Sequence, residues 1–255
     1  MLCFALALLF SSAALSPPAL ASPLTMALAN SDTVAVGRHT LSLPKDLTGE
    51  AATAAHAFIE AIRANDAAIV RIPDTATLTV PEAWTDASGQ THRKTYTASG
   101  ADYKSHWNKA SFALFHDSVY SSTLNGPETN ASGRGSSDMG LDPQKAGNHV
   151  SGFNLEKIIV PYYAGNKTAA LEYLALHEVG HNTAAGVQAN NDTGIKVDTF
   201  LAGTPNYANE NFANTLALSV MQTVGLNVGW YSPKTILNGW QNEIHWTMPA
   251  GSGSV

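Results

Sequence analysis

The spacing of apolar residues divides the first half of the chain into helical and extended segments. In TGEAATAAHAFIEAIRAND (48–66), apolar residues recur at three- and four-residue intervals, which predicts a helix with Thr48 as its N-cap. Residues before this helix look like an extended lead-in. Shorter apolar or alternating runs predict strands at 67–72, 77–84, 110–120 and, most strongly, 155–163 (LEKIIVPYY), with a turn and hairpin arm within 87–97.

The second half of the chain is dominated by helical patterns. NKTAALEYLALHEVGHNTA (166–184) predicts a helix that ends at a Gly186-containing turn, and NYANENFANTLALSVMQTVGL (206–226) predicts a longer one. Strands precede most helices, so the pattern favours an α+β fold over alternating βαβ units. The remaining predictions are a short helix at 232–240 and loops at 121–148 and 187–206, the first of which is Gly-rich and long enough to line or cover a cleft.

Length and composition support a folded protein with one domain over residues 30–255, and we expect it to be a monomer. Of the 255 residues, 44% are apolar and 13% are charged, and the net charge is -6. This balance provides for a sizeable core and argues against a disordered chain. Because no Lys/Arg-rich run occurs, we expect no nucleic-acid partner. No apolar run approaches the roughly 20 residues of a membrane span, so we expect none.

The amino terminus is typical of a secretory signal peptide. The apolar run LCFALALLF is followed by a small-residue cleavage pattern, ALA, at 19–21, and a second ALA at 27–29 offers an alternative site, although no Lys or Arg precedes the run. We therefore expect a signal peptide over 1–21, or up to 29, and a secreted or periplasmic protein. The only cysteine is Cys3, so the mature chain would contain neither disulfides nor Cys-ligated metal.

The segment HEVGH carries the strongest chemical signal. His177 and His181 are four residues apart and therefore share one helix face, from which two imidazoles can bind one Zn²⁺. Glu178 points further around the helix, where it can reach a water held by the metal and take its proton. With nine His and nine Glu in the chain, about 0.01 chance matches to this motif are expected.

A catalytic zinc needs a third protein ligand. The continuation that would supply a third histidine is missing, because position 187 is Val. Asp192 and Asp198 in the following loop are possible ligands. Glu210 is preferred because it opens the next predicted helix, 29 residues after His181. The alternative is that its carboxylate only interacts favourably with the helix dipole and binds no metal.

Asn214 lies one helical turn after Glu210 and is expected on the same face. Zinc-bound histidines usually donate their second ring N–H to an acceptor. The side-chain oxygen of Asn214 could accept that hydrogen bond from His177 or His181.

The segments HEVGH (177–181) and NENFAN (209–214) resemble the gluzincin branch of the zincin metallopeptidases. The resemblance implies that His177, His181 and Glu210 are zinc ligands and that Glu178 is the general base. GTPNYA (203–208) is faintly similar to the aspzincin branch, but Asn206 stands where that branch has Asp, so we rank it lower.

The resemblance also implies a zincin-like fold: a twisted, mostly antiparallel sheet, an active-site helix and a C-terminal helical part. In that fold an edge strand runs along the cleft, and KIIVPYY (157–163) directly precedes the motif helix. Such an edge can hold an extended peptide by strand addition. An ordinary core strand is the alternative interpretation of this segment.

We therefore expect a secreted zinc-dependent endopeptidase acting on a peptide or protein substrate. Tyr207, Tyr231 and His245 are candidates for stabilising the oxyanion, with Tyr207 preferred because it lies one turn before Glu210. Two alternatives keep the metal and change the function. One is a non-catalytic, secreted zinc-binding module, and the other is a zinc amidase acting on a non-protein amide such as one in a cell wall.

Overall fold

A computed structural model describes residues 30–86, 88–120, 149–165, 168–193 and 208–223. In chain order the elements are β1 (Ser31–Val36), β2 (His39–Pro44), α1 (Gly49–Ile69), β3 (Thr77–Thr85), β4 (Thr91–Ser99), α2 (Gly100–Lys109), β5 (Ala110–Phe115), α3 (Asp117–Tyr120), β6 (His149–Asn154), a π-helical segment (Leu155–Ile159), α4 (Val160–Ala164), α5 (Thr168–Gly180), α6 (Ala184–Thr193) and α7 (Ala208–Thr223). The predicted signal peptide, the Gly-rich loop at 121–148 and the helix at 232–240 lie outside the described residues.

The larger sheet is mixed, with the strand order β1-β2-β5-β6. Strands β1 and β2 form an antiparallel hairpin closed at Gly37, whose φ of 60° favours glycine, so the extended lead-in is a paired hairpin. Strand β5 is parallel to both β2 and β6. The expected mostly antiparallel arrangement is therefore not found in this sheet. The reason is connectivity: long crossovers link β2 to β5 and β5 to β6, and such crossovers join parallel strands.

Strands β3 and β4 form a separate two-stranded antiparallel sheet. This confirms the predicted strand at 77–84 and the hairpin arm within 87–97. Val80 pairs with Tyr96 across the hairpin, and both are buried. Asp86 organises the turn by accepting hydrogen bonds from the backbone N–H groups of Ser88 and Gln90.

The predicted helix at 48–66 is confirmed as α1, but the strand predicted at 67–72 is wrong. Thr48 has the extended backbone of an N-cap residue without a side-chain capping bond. The helix continues to Ile69 because Ala68 and Ile69 extend the buried face already formed by Phe58 and Ile62. Burial against the core thus overrides the strand preference of this β-branched run.

The strand predicted at 155–163 is also wrong. Its first five residues form the π-helical segment and the rest forms α4, so KIIVPYY cannot be an edge strand. Asn154 initiates the turn by accepting a hydrogen bond from the backbone N–H of Lys157 at 2.9 Å. Pro161 lies in the first turn of α4, where its missing N–H is not needed. A short apolar run does not by itself distinguish a buried strand from a buried helix.

Helix α5 occupies the centre of the helical part. It packs against α1 and α7 and also touches α2 and α4. The helices predicted at 166–184 and 206–226 are confirmed within the described ranges. Residues 187–193, expected as the start of a loop, belong instead to α6. One apolar core connects these helices with both sheets. None of the described helices has the length and apolar character needed to cross a membrane.

Candidate metal centre

Helix α5 brings the HEVGH residues into a largely buried position. The helix is apolar over Leu171, Leu174 and Leu176, which pack into the core. His177 and Glu178 follow directly and are only 8% and 2% exposed. Polar groups this deeply buried need partners, because desolvation without a hydrogen bond or metal ligand is unfavourable.

The two histidine rings face each other through their Nε2 atoms. These nitrogens are 3.1 Å apart, and the ring planes are almost perpendicular at 86°. Two nitrogens bound to one tetrahedral Zn²⁺ lie about 3.3–3.4 Å apart, given Zn–N distances of about 2.0–2.1 Å. The distance between the two Nε2 atoms is thus within a few tenths of an ångström of the distance expected for two ligands of one metal ion. An N–H···N hydrogen bond between the rings would give a similar distance.

The Glu178 carboxylate lies beside this pair. Its Oε1 atom is 4.0 Å from His177 Nε2. The ligand atoms of His177, Glu178 and His181 all lie within 4.8 Å of one another. A distance of 4.0 Å exceeds the separation of about 3.3–3.5 Å between two ligands of a tetrahedral ion. The Glu178 carboxylate therefore fits less well than the two imidazoles as a ligand of one shared ion.

Tyr173 lies between His177 and Asn214. Its hydroxyl is 3.4 Å from His177 Nδ1 and donates a hydrogen bond to Asn214 Oδ1. We expected Asn214 to accept a hydrogen bond directly from a histidine. In the structure it accepts one from Tyr173, which in turn contacts His177. Tyr173 was not among the predicted site residues, although its position four residues before His177 places it on the same helix face.

Helix α7 runs closely beside the motif. A Cβ atom on Gly180 would lie 3.4 Å from Ala213 Cα and 3.3 Å from Leu216 Cδ2, so glycine permits the close packing of α5 on α7. The backbone of Glu210 lies in the first turn of α7, one turn before Asn214. The side chain of Glu210 is outside the described part of the structure, so its role as third ligand stays a prediction.

Asp192 belongs to α6 and is held by other partners. Its carboxylate accepts hydrogen bonds from Tyr96 Oη at 2.9 Å, Gln188 Nε2 at 2.8 Å and Lys94 Nζ. Burial by itself raises the pKa of Asp192, but these hydrogen bonds, led by that from Lys94, outweigh it and lower the pKa. Among the described residues, Asp192 is not part of the cluster around His177. Its contacts tie α6 to the β3–β4 hairpin.

Asn206 lies outside the described ranges, and so do four predicted site residues: Tyr207, Asp198, Tyr231 and His245. Their suggested roles in binding the metal or stabilising the oxyanion stay predictions.

The end of α5 is fixed by a compact turn into α6. Thr183 donates a hydrogen bond to the Gly180 carbonyl at 2.7 Å and accepts one from the Gly186 backbone N–H at 3.1 Å. Asp102 accepts a further bond from the Ala184 N–H at 2.9 Å. These caps start α6 directly after the motif, which explains why Gly186 lies inside a helix and not in a terminating turn.

Comparison of the chain with protein-family models, curated proteins and solved structures gives no match. The resemblance to gluzincins therefore depends on HEVGH (177–181) and NENFAN (209–214) alone.

Proposed function

We propose that this protein is an exported, zinc-dependent metallopeptidase of the zincin type that cleaves internal bonds of peptide or protein substrates. One observation carries the proposal. The Nε2 atoms of His177 and His181 converge to 3.1 Å on a buried helix, with the Glu178 carboxylate 4.0 Å from His177 Nε2. Residues 1–21 have the pattern of an export signal, so we propose that the protein is secreted or periplasmic.

The chemistry of the donors supports zinc. Imidazole nitrogens suit Zn²⁺ and other transition metals, whereas Mg²⁺ and Ca²⁺ prefer oxygen ligands. His177 and His181 would hold the ion, and we propose Glu210 as the third ligand because α7 packs beside the motif. A site with three protein ligands leaves one position open, as catalysis requires.

The proposed reaction is hydrolysis of an amide. Zinc bound at this site would activate water and polarise the scissile carbonyl. Glu178 takes the proton from the attacking water and later gives it to the leaving amine. Because Glu178 is only 2% exposed, its carboxylate is shielded from bulk water and held close to the histidines. Tyr207 is proposed to stabilise the developing negative charge on the carbonyl oxygen.

The test is digestion of casein and a peptide library by the full-length exported protein as its host processes it. We expect internal cleavage that a zinc chelator abolishes and that added Zn²⁺ restores, with products identified by mass spectrometry. A protein that binds zinc and cleaves nothing would support the non-catalytic zinc-binding module instead. Release of fragments from cell-wall material, with casein left intact, would support the zinc amidase.

A further inference from the structure

The hydroxyl of Tyr173 lies between His177 Nδ1 and the side-chain oxygen of Asn214. Tyr173, His177 and Asn214 are buried together, at 5%, 8% and 8% exposure. The hydroxyl donates its only proton to Asn214 Oδ1. Towards His177 Nδ1, 3.4 Å away, the hydroxyl oxygen then acts as a hydrogen-bond acceptor.

A tyrosine oxygen that accepts from Nδ1 selects one tautomer of His177. A neutral imidazole has one protonated and one unprotonated nitrogen. If Nδ1 carries the proton, Nε2 is unprotonated and directs its lone pair towards His181 Nε2. This tautomer is the one that can bind a metal through Nε2. The separation of 3.4 Å is longer than the usual hydrogen-bond range of about 2.7–3.2 Å, so this hydrogen bond is a weak one.

We propose that Tyr173 is a positioning residue that relays a hydrogen bond from His177 to Asn214 and keeps His177 Nε2 available as a metal ligand. This inference rests on the proposed function only where it concerns the metal. The tautomer of His177 is a property of the protein without metal. The opposite orientation of the Asn214 amide would make Tyr173 donate to Nδ1 and would move the ring proton to Nε2.

The test compares Tyr173→Phe with Tyr103→Phe. Both changes remove one buried hydroxyl and keep the ring. Tyr103 also bonds to α5, donating to the Leu176 carbonyl at 2.9 Å, but among the described residues it has no hydrogen bond or ring contact with a side chain of the HEVGH cluster. Tyr103→Phe therefore reports any general weakening of the helix, and Tyr173→Phe adds the effect on His177.

The first readout is ¹⁵N NMR of the histidine rings in chelator-treated protein at a pH where they are neutral. His177→Gln assigns the His177 signal. We expect His177 to be protonated at Nδ1 in the wild type and in Tyr103→Phe, and to lose this preference in Tyr173→Phe. A wild-type His177 protonated at Nε2 would overturn the proposal, as would a tautomer unchanged by Tyr173→Phe.

The second readout is zinc affinity, measured by competition with a chromophoric chelator. Residues that orient metal ligands typically change affinity about 10–100-fold, and we expect a loss of this size in Tyr173→Phe but not in Tyr103→Phe. Adding Asn214→Ala to Tyr173→Phe should then have little further effect, since the relay is already broken. Equal losses in both tyrosine variants would overturn the proposal. If the wild type binds no zinc, the proposed function fails, and the NMR result still decides the role of Tyr173.

Discussion

Two histidine clusters in this protein differ in what their ring nitrogens face. His116 has a carboxylate at each nitrogen: Glu156 Oε1 lies 2.5 Å from Nδ1 and Asp46 Oδ1 lies 2.9 Å from Nε2. A carboxylate at each nitrogen favours the ring form with two N–H groups, so these contacts raise the pKa of His116. His177 instead directs Nε2 at another imidazole nitrogen, that of His181.

The two clusters also differ in burial and charge. The His116 cluster is partly exposed and pairs one histidine with two carboxylates, and it links the end of β5 to the β2–α1 connection and to the π-helical segment. The HEVGH cluster is largely buried and brings two imidazole nitrogens together. We propose that the first cluster is structural and that the second binds a divalent ion.

Replacing His177 by Gln should remove the metal. We expect the zinc content to fall from about one ion per chain to almost none, and hydrolysis to disappear with it, because two protein ligands cannot retain the ion as three do. His116→Gln is the matched control and should keep both the zinc content and the hydrolytic activity. Elemental analysis after dialysis measures the zinc. Equal zinc content in the two variants would place the metal elsewhere.

Replacing Glu178 by Gln should leave zinc bound and reduce kcat/KM by about 10²–10⁴-fold, the usual contribution of a general base. Glu172→Gln is the control, since this glutamate lies on the same helix and its Oε2 is buried without a hydrogen-bond partner among the described residues. Burial raises the pKa of Glu172, so Glu172→Gln replaces a carboxyl group whose charged form is already disfavoured. Equal rates for the two variants would remove Glu178 from the mechanism.

Gly186→Ala should destabilise the turn after the motif. An added Cβ would lie 2.3 Å from the Gly180 carbonyl oxygen, a backbone atom that cannot move freely. Overpacking of this kind costs about 1–3 kcal/mol. At Gly180 itself the nearest atoms would be 3.3–3.4 Å away, and the gain in helix propensity of up to about 1 kcal/mol offsets the crowding. Urea denaturation compares the two variants, and an equal loss would contradict this packing.

The smallest expected effect is the pH dependence of the His116 cluster. The hydrogen bond to Glu156, followed by that to Asp46, raises the pKa of His116 above its ordinary 6.5 despite partial burial. The stabilisation should therefore be fully present below pH 6.5 and be lost as the pH rises through the folded-state pKa. Because Asp46 is exposed, we expect only a small stability difference between wild type and His116→Gln. An NMR titration placing the pKa of His116 at or below 6.5 would contradict this assignment.

Local patterns predicted the parts of the molecule whose burial follows a regular period. The helical spacing in α1 and α5 and the alternation in the β3–β4 hairpin are visible in the sequence, and so is the motif from His177 to His181. The strand predicted at 155–163 was wrong because a short apolar run has no period that distinguishes a strand from a helix.

Contacts between distant segments could not be predicted in the same way. Asp192 looked like a possible ligand until its partners on β4 were known, because only tertiary packing brings Lys94 and Tyr96 to it. Tyr173 had a visible i, i+4 relation to His177. Its significance depends on Asn214, which lies 41 residues away in the chain.

The most direct test of the metal centre is anomalous X-ray diffraction from crystals of the zinc-loaded protein at the zinc absorption edge. We predict one strong peak at about 2.0–2.1 Å from both His177 Nε2 and His181 Nε2, with a Glu178 oxygen close by but not bound to the ion. Two rings joined by an N–H···N hydrogen bond, with no anomalous peak between them, would contradict the account.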